Sequence, residues 1–396
     1  MSAVAILTRE FPPHVYGGAG VHVEHLVAAL SGRVDVAVHR FAEGDAPDHG
    51  SYGTWDELEG GAPHRAALRV MATDLAMAAG VEGASLVHSH TWYANFAGHL
   101  AKLLYGIPHV CTTHSLEPLR PWKAEQLGGG YAVSSFCEKT ALEAADRIIA
   151  VSAQMRDDIL RCYPAVAPER VAVVHNGIDV ESYHRVAATD VLARHGIDPA
   201  RPLIVFVGRI TRQKGVVHLL EAADHLDPQA QLVLCAGAPD TAEIADEVER
   251  AVERLQAVRS GVIWIQQMLP RPEVVQILSH ATVFVCPSIY EPFGLVNVEA
   301  MACEAAVVAS RTGGIPEIVV DGETGLLVDV GPPADAYGTP QDRAGFARRL
   351  ADALNALVSD PARAEAYGAA GRRRVEQLFS WDVIAEQTAA IYASVL

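Results

Sequence analysis

Short apolar runs alternate with helix-like stretches along most of the chain. The runs lie at residues 4–7, 34–38, 85–88, 109–112, 147–151, 171–174, 203–207, 232–235, 262–265, 283–286, 306–309 and 325–328. Between them, stretches such as 21–30, 92–105 and 135–145 repeat apolar residues every three or four positions, which predicts amphipathic helices. Strands that alternate with helices predict parallel sheets joined by right-handed crossovers.

This alternation occurs in two rounds, so the chain of 396 residues is predicted to form two α/β domains. We expect Rossmann-like folds with parallel sheets, an N-terminal domain over residues 1–185 and a C-terminal domain over 186–380, each large enough for its own core. The polar stretch 180–202 is interpreted as a hinge between them. Residues 43–64 and 329–343 are rich in glycine, proline and acids and are predicted to be loops.

Composition and charge narrow the classes of function. Half of the residues are apolar, but no segment approaches the ~20 apolar residues that span a membrane. We therefore expect no membrane partner, no signal sequence and a cytoplasmic location. Six cysteines without a C-x-x-C pair indicate reduced thiols instead of disulfides or zinc ligands. The formal net charge of −17 argues against nucleic acid as a partner, and an anionic substrate would need a local group of cations.

Such a group of cations follows the apolar run 203–207. Gly208 ends the run, and Arg209, Arg212 and Lys214 come directly after it. The carboxyl end of a strand in a doubly wound sheet is where ligands bind. Arg209 and Lys214 are suited to a diphosphate, one as a planar fork and the other as a mobile point charge. The alternative is a basic helix start paired with surface acids, although cations at that end oppose the helix dipole.

Two acids eight positions apart, Glu291 and Glu299, flank a predicted helix start. Pro292 suits a first helical turn, and the N–H groups that follow it, at Gly294 and Leu295 among others, are predicted to point at an anion. At a rise of ~1.5 Å per residue the two carboxylates would lie about 10 Å apart, the span from ribose to hexose in a nucleotide sugar. The alternative is a pair of solvated glutamates on a surface helix.

A glycine-rich segment, Gly17-Gly18-Ala19-Gly20, separates the first predicted strand from the first helix. Backbone amides in such a loop bind phosphate or sugar groups, although many of these loops are only tight connections. The third glycine of the dinucleotide pattern G-x-G-x-x-G is absent, which counts against a dehydrogenase.

Histidine is abundant, with 17 residues, but none has a cysteine or carboxylate at a recognised ligand spacing, so no metal site is predicted. His114 follows the apolar run 109–112 and is predicted to lie at the carboxyl end of a strand; the alternative is a core or capping histidine. For His22, on the first helix, a packing role is favoured.

Together these segments resemble the retaining nucleotide-sugar glycosyltransferases of family 4. The similarity is carried by residues 8–13, 16–22, 113–114, 175–179, 208–215, 291–299 and 312–317. Within the family the likeness is to the actinobacterial glycogen synthases, also described as α-maltose-1-phosphate synthases. Many other starch and glycogen synthases have a lysine before the first glycine pair, where this chain has Tyr16, which fits the actinobacterial type.

The resemblance implies a GT-B fold, in which two Rossmann-like domains face each other across a deep cleft and the last helix, 381–396, packs on the first domain. It implies catalytic roles for a cation pair, an acid and a histidine: Arg209, Lys214, Glu291 and His114. It implies donor-binding roles for Gly17, Gly18, Arg209, Lys214, Gly294, Leu295, Glu299, Thr312 and Gly313. Arg209 and Lys214 would bind the diphosphate, and Glu299 the ribose. Glu291 and His114 would contact the hexose, with no metal or other cofactor.

The implied activity is transfer of glucose from a nucleotide-glucose, ADP-glucose by subfamily likeness, with retention of the anomeric configuration. The implied acceptor is glucose 1-phosphate, giving α-maltose 1-phosphate, or the end of an α-1,4-glucan. The alternatives are a family 4 enzyme with another donor or acceptor, a nucleotide-sugar epimerase, and a non-catalytic glycan- or nucleotide-binding protein.

Overall fold

The computed structural model describes residues 3–15, 18–41, 50–120, 123–237, 239–335 and 337–396. The chain divides into two compact units, residues 1–177 with 381–396, and residues 178–380. Residues 178–185, which the sequence assigned to the first domain, thus belong to the second unit. Hydrogen bonds attach this segment to the second unit. The Arg372 guanidinium donates to the carbonyls of Val180 and Tyr183, and the Ile178 N–H donates to the carbonyl of Phe379.

The first unit contains a seven-stranded parallel sheet in the order β3-β2-β1-β4-β5-β6-β7. Its strands are β1 Val4–Thr8, β2 Val36–Phe41, β3 Gly50–Tyr52, β4 Leu86–His90, β5 His109–Thr113, β6 Arg147–Ala150 and β7 Val171–Val173. Its first six helices are α1 Gly18–Leu30, α2 Pro63–Ala79, α3 Trp92–Tyr105, α4 Lys123–Leu127, α5 Gly130–Ala144 and α6 Ala153–Cys162.

The second unit contains a six-stranded sheet in the order β10-β9-β8-β11-β12-β13. Its strands are β8 Leu203–Arg209, β9 Gln231–Gly237, β10 Val262–Ile265, β11 Val283–Cys286, β12 Ala306–Ser310 and β13 Gly325–Val328. Its helices are α7 Asp190–Arg194, α8 Val216–Ala222, α9 Ala242–Val258, α10 Arg271–Ser279, α11 Leu295–Ala302, α12 Ile315–Ile318, α13 Arg343–Val358 and α14 Pro361–Leu378. The strand pairs of this sheet are also parallel, which confirms the predicted α/β architecture of two Rossmann-like domains.

Each sheet is covered on both faces, as continuous apolar strands require. In β1, Ile6 packs with Leu26 of α1, whereas the next residue, Leu7, packs with Met77 of α2. The final helix, α15 Trp381–Ala393, belongs to the first unit. Its Tyr392 is buried, and the hydroxyl lies 2.7 Å from Nδ1 of His88 in β4.

The strand order creates one switch point in each sheet. In the first sheet β1 lies between β2 and β4, and in the second β8 lies between β9 and β11. The connections leave in opposite directions there, so a crevice opens outside the carboxyl ends of the strands. The segments that follow β1, β4 and β5, and those that follow β8, β11 and β12, are therefore the places where ligands are expected.

Two regions predicted to lack regular structure contain elements. β3 and the start of α2 lie within residues 43–64, and α7 lies within the predicted hinge. β3 is a three-residue strand at the sheet edge, where Tyr52 Oη lies 2.8 Å from Nδ1 of His39 on β2. A strand this short has no apolar run from which it could be predicted. Residues 42–49 lie outside the described part. Among the helices of the described residues, none combines the length and the apolar character needed to cross a membrane.

Candidate functional site

The segments after β8 and β11 meet in the second unit. The Ile289 N–H donates to the carbonyl of Gln213 at 2.9 Å, which ties the two segments together at the switch point. Lys214 then lies with its ammonium 2.7 Å from Oε2 of Glu291, and the Ser288 hydroxyl donates to the same oxygen at 3.0 Å. A cation and an acid that are 77 positions apart in sequence form one pair.

This pair is sheltered from solvent, since only 5% of Glu291 is exposed. Burial by itself lowers the pKa of Lys214, but the adjacent Glu291 carboxylate outweighs it and raises the pKa above the ordinary value. The ammonium is therefore charged throughout the neutral pH range. Removing one partner of such a pair leaves an uncompensated charge, which makes the two residues interdependent.

The segment after β12 holds Glu291 in place through its backbone. The Gly314 N–H donates to the Glu291 carbonyl at 2.9 Å, and the Thr312 hydroxyl donates to the carbonyl of Ile289 at 3.4 Å. Gly313 has φ of 54°, and a Cβ atom there would lie 1.8 Å from the Glu291 carbonyl oxygen. Only glycine permits this approach, so Gly313 and Thr312 position the acid.

The helix after Glu291 starts later than the sequence predicted. Pro292 lies before the helix, not in its first turn, and α11 begins at Leu295. The cause is Gly294, whose φ of 110° is not helical and whose absent Cβ would lie 2.6 Å from Nδ2 of Asn297. The predicted placement of Pro292 in the helix is therefore wrong, and the backbone turns at Gly294 directly before the helix.

Glu299 lies within α11 and accepts a hydrogen bond of 3.0 Å from the Tyr183 hydroxyl. Burial raises the pKa of Glu299, while Tyr183, Arg271 and Lys214 act in the opposite direction. The positive charge of Lys214 thus acts on the pKa of Glu299 as well as pairing with Glu291. Tyr183 was not predicted as a site residue, because its polar surroundings in the sequence give no signal of a contact with Glu299.

The two arginines of the predicted cation group have different neighbours. Arg209 ends β8, and its Nη1 lies 3.1 Å from Oδ1 of Asp240; its charge also acts to lower the pKa of Lys214. Arg212 is exposed, and its Nη1 lies 3.6 Å from an oxygen of Glu247 on α9. The sequence alternative of a cation paired with a surface acid thus describes both arginines.

In the first unit, His114 directly follows β5 and lies in a histidine cluster. Nδ1 of His90, at the end of β4, lies 3.2 Å from Nε2 of His114, and His22 of α1 completes a group with ligand atoms within 4.8 Å of one another. Burial lowers the pKa of His114 to about 4, and those of His22 and His90 lie well below the ordinary value, mainly because both are buried.

This neutral cluster has the chemistry of a site for a divalent metal ion. Ligand spacing along the sequence does not reveal this cluster, because its three histidines come from three separate elements. A neutral imidazole also accepts or donates a hydrogen bond to a sugar hydroxyl, which is the role that the resemblance implies for His114.

The structure brings most of the predicted site residues together in the second unit. They lie at the end of β8 or on the segments after β8, β11 and β12: Arg209, Lys214, Glu291, Gly294, Leu295, Glu299, Thr312 and Gly313. His114 belongs to the first unit, as does Gly18, the first residue of α1. Gly17 lies outside the described residues. The cations can bind an anionic group, and the carboxylates beside them can accept hydrogen bonds from hydroxyl groups. The arrangement therefore fits an anionic ligand that is rich in hydroxyl groups.

Two further buried histidines predict that the first unit loses stability in acid. His88 and His109 are fully buried, and burial lowers the pKa of each from 6.5 to about 3. Below pH 6.5 these two histidines bind protons in the unfolded chain, whereas in the folded chain they stay neutral until the pH approaches 3. The free energy of unfolding should therefore fall with pH from 6.5 towards 3, by up to ~1.4 kcal/mol per pH unit for each histidine.

Urea denaturation of the full-length protein between pH 7 and pH 5 measures this slope, and the His109→Gln variant should show a shallower one. A free energy of unfolding that is independent of pH in this window would contradict the prediction, as would an equal slope in the variant.

Comparisons with known proteins extend over the whole chain. The family model "Glycosyltransferase Family 4" matches residues 16–182, and "Glycosyl transferases group 1" matches residues 189–339. The chain is 58% identical to an α-maltose-1-phosphate synthase of Mycolicibacterium smegmatis and 56% identical to one of Mycobacterium tuberculosis, covering 99% of both chains in each case. Among solved structures, sucrose-phosphate synthase from Thermosynechococcus elongatus matches with a TM-score of 0.76 and 27% identity, over 99% of this chain and 98% of that one.

Proposed function

The chain belongs to glycosyltransferase family 4, and from that premise we propose that it transfers glucose from a nucleotide-glucose to glucose 1-phosphate. The product would be α-maltose 1-phosphate. Full-length identity of 58% to a synthase named for that product supports the acceptor. The observation that carries the proposed donor chemistry is the charged Lys214 ammonium beside Glu291, at the switch point of the second sheet.

The donor diphosphate lies against Lys214 and Arg209 in this proposal. Arg209 is the last residue of β8 and Lys214 lies in the segment that follows it, and the charge of Arg209 acts to lower the pKa of Lys214. Their charge stabilises the negative charge that develops on the departing nucleoside diphosphate, and it is in place before the reaction starts. Glu299 accepts hydrogen bonds from the ribose and Glu291 from the hexose. ADP-glucose is the proposed donor, by likeness to the actinobacterial enzymes.

The transfer is proposed to retain the anomeric configuration through departure and attack on one face of the sugar. The bond from the anomeric carbon to the phosphate oxygen breaks, and the bond to the acceptor oxygen forms on the same side. The acceptor proton passes to the leaving phosphate oxygen. Glu291, paired with Lys214 and Ser288, is a binding group in this scheme and not a covalent nucleophile. His114, as a neutral imidazole, binds a hexose hydroxyl.

A substrate panel tests the proposed function. Release of nucleoside diphosphate is measured for ADP-, UDP- and GDP-glucose, each with glucose 1-phosphate, maltose, glycogen or no acceptor, with and without EDTA. We expect the fastest release with ADP-glucose and glucose 1-phosphate, an α-linked disaccharide phosphate as product, and no loss with EDTA, because Lys214 and Arg209 supply the positive charge.

Three outcomes would contradict it. Conversion of the nucleotide sugar without release of nucleoside diphosphate would indicate an epimerase. Binding without turnover would indicate a non-catalytic protein. Transfer to glycogen but not to glucose 1-phosphate would show that the acceptor is a glucan and not glucose 1-phosphate.

A further inference from the structure

Two cations of the first unit share one tyrosine ring. The guanidinium carbon of Arg9 lies 4.3 Å from the centroid of the Tyr93 ring, and the ammonium of Lys123 lies 5.9 Å from the same centroid. Both distances are within the range of cation–π attraction. Both cations therefore lie beside the same Tyr93 ring, although their like charges repel.

These three residues come from neighbouring strands at the switch point. Arg9 directly follows β1, Tyr93 lies in the first turn of α3 after β4, and Lys123 begins α4 in the connection after β5. β1, β4 and β5 are adjacent in the sheet. His114 follows β5 at the same edge. The cations are thus at the position where a doubly wound domain binds its ligand.

Neither cation has a counter-ion among the acids whose side chains the structure describes. No such carboxylate lies within 4.0 Å of Arg9 or Lys123, whereas Lys102 pairs with Asp146 at 2.7 Å. Only 9% of Lys123 is exposed. A buried ammonium costs solvation free energy unless an anion compensates it, and a tyrosine ring offsets only part of that cost. In a chain of net charge −17, two cations without a described counter-ion, Lys123 on a largely buried side chain and Arg9 on an exposed one, indicate an anion that binds from solution.

We propose that Arg9 and Lys123 bind the phosphate group of a sugar phosphate acceptor. The inference rests on the proposed function for the identity of the acceptor as glucose 1-phosphate. The guanidinium gives two parallel hydrogen bonds to phosphate oxygens, and the ammonium gives a third contact as a point charge. The two cations would provide the recognition of the acceptor phosphate, a role to which the sequence analysis assigned no residue.

Acceptor specificity tests this proposal. The variants are Arg9→Ala and Lys123→Met, and the control is Lys139→Met, which alters an exposed lysine of α5 in the same unit. The quantity measured is kcat/KM for glucose 1-phosphate and for maltose, at saturating donor. We expect each site variant to lower kcat/KM for glucose 1-phosphate, relative to that for maltose, by about 10- to 100-fold. The loss of a hydrogen bond to a charged group implies an effect of this size. The control should keep the wild-type ratio. An equal loss with both acceptors would overturn the proposal.

Binding without donor separates this inference from the proposed function. Calorimetry of the full-length protein with glucose 1-phosphate and with inorganic phosphate should give a Kd that rises at least about tenfold in Arg9→Ala and Lys123→Met. Tighter binding of glucose 1-phosphate than of inorganic phosphate would assign the site to a sugar phosphate. If the wild type transfers glucose only to glucans but the variants still lose phosphate binding, the proposed function fails and the anion site stands. An equal Kd in wild type and variants, or no binding at all, would overturn the site.

Discussion

Replacing Lys214 by methionine should lower kcat by about 100- to 1,000-fold, the usual loss when one preorganised charge that faces a leaving group is removed. The ammonium lies 2.7 Å from Glu291 and is the partly buried cation of the segment after β8. It stabilises charge that develops only as the nucleoside diphosphate departs, so the loss should appear in kcat more than in the KM for the donor. Steady-state nucleoside diphosphate release measures both constants.

The single variant leaves Glu291 buried without its cation, and that alone destabilises a fold. The double variant Lys214→Met, Glu291→Gln removes both charges and should recover much of the free energy of unfolding while remaining inactive. Arg212→Ala, which alters an exposed cation paired with Glu247 in the same segment, is the matched control and should keep most of the activity. Wild-type turnover by Lys214→Met would contradict the proposed binding of the donor diphosphate by Lys214. Recovery of activity in the double variant would show that only stability had been lost.

Replacing Glu299 by glutamine should raise the KM for the nucleotide-glucose by about 10- to 100-fold, with a smaller effect on kcat. Hydrogen bonds from ribose hydroxyls to a carboxylate are present both before and during the reaction, and each bond to a charged group contributes about 1.5–3 kcal/mol. Glutamine keeps the shape of the side chain and a partner for the Tyr183 hydroxyl. Initial rates over a range of donor concentrations measure the effect.

The Tyr183→Phe variant refines this test. The Tyr183 hydroxyl donates to Glu299 at 3.0 Å and orients the carboxylate, so its loss should raise the donor KM by a smaller factor. An unchanged donor KM in Glu299→Gln would contradict the ribose role. A fall in kcat for glucose 1-phosphate with an unchanged donor KM would indicate that Glu299 acts on the acceptor.

The parallel α/β architecture could be predicted from the sequence because buried parallel strands are continuous apolar runs. Helix α3 was predicted at residues 92–105, and it spans Trp92–Tyr105. β3 was missed because an edge strand of three residues contributes little burial. The predicted start of α11 was wrong because the sequence alone gave no reason to prefer the φ of 110° at Gly294 over a helical turn at Pro292.

Most residues of the candidate site, although not Tyr183, could be listed from the sequence, but their contacts could not. The Lys214–Glu291 pair joins segments after two different strands, and only the strand order makes those strands neighbours. The cation pair around Tyr93 and the histidine cluster are also products of the strand order. Residue spacing along the chain therefore detected motifs within one segment and missed sites assembled from several.

A crystal structure of the protein with bound ADP-glucose would show directly whether Lys214 and Arg209 bind the donor diphosphate. We expect the diphosphate within hydrogen-bond distance of Lys214 and Arg209, with the ribose hydroxyls on Glu299 and a hexose hydroxyl on Glu291. A diphosphate that contacts neither cation, or a donor bound away from the segments that follow β8 and β11, would contradict it.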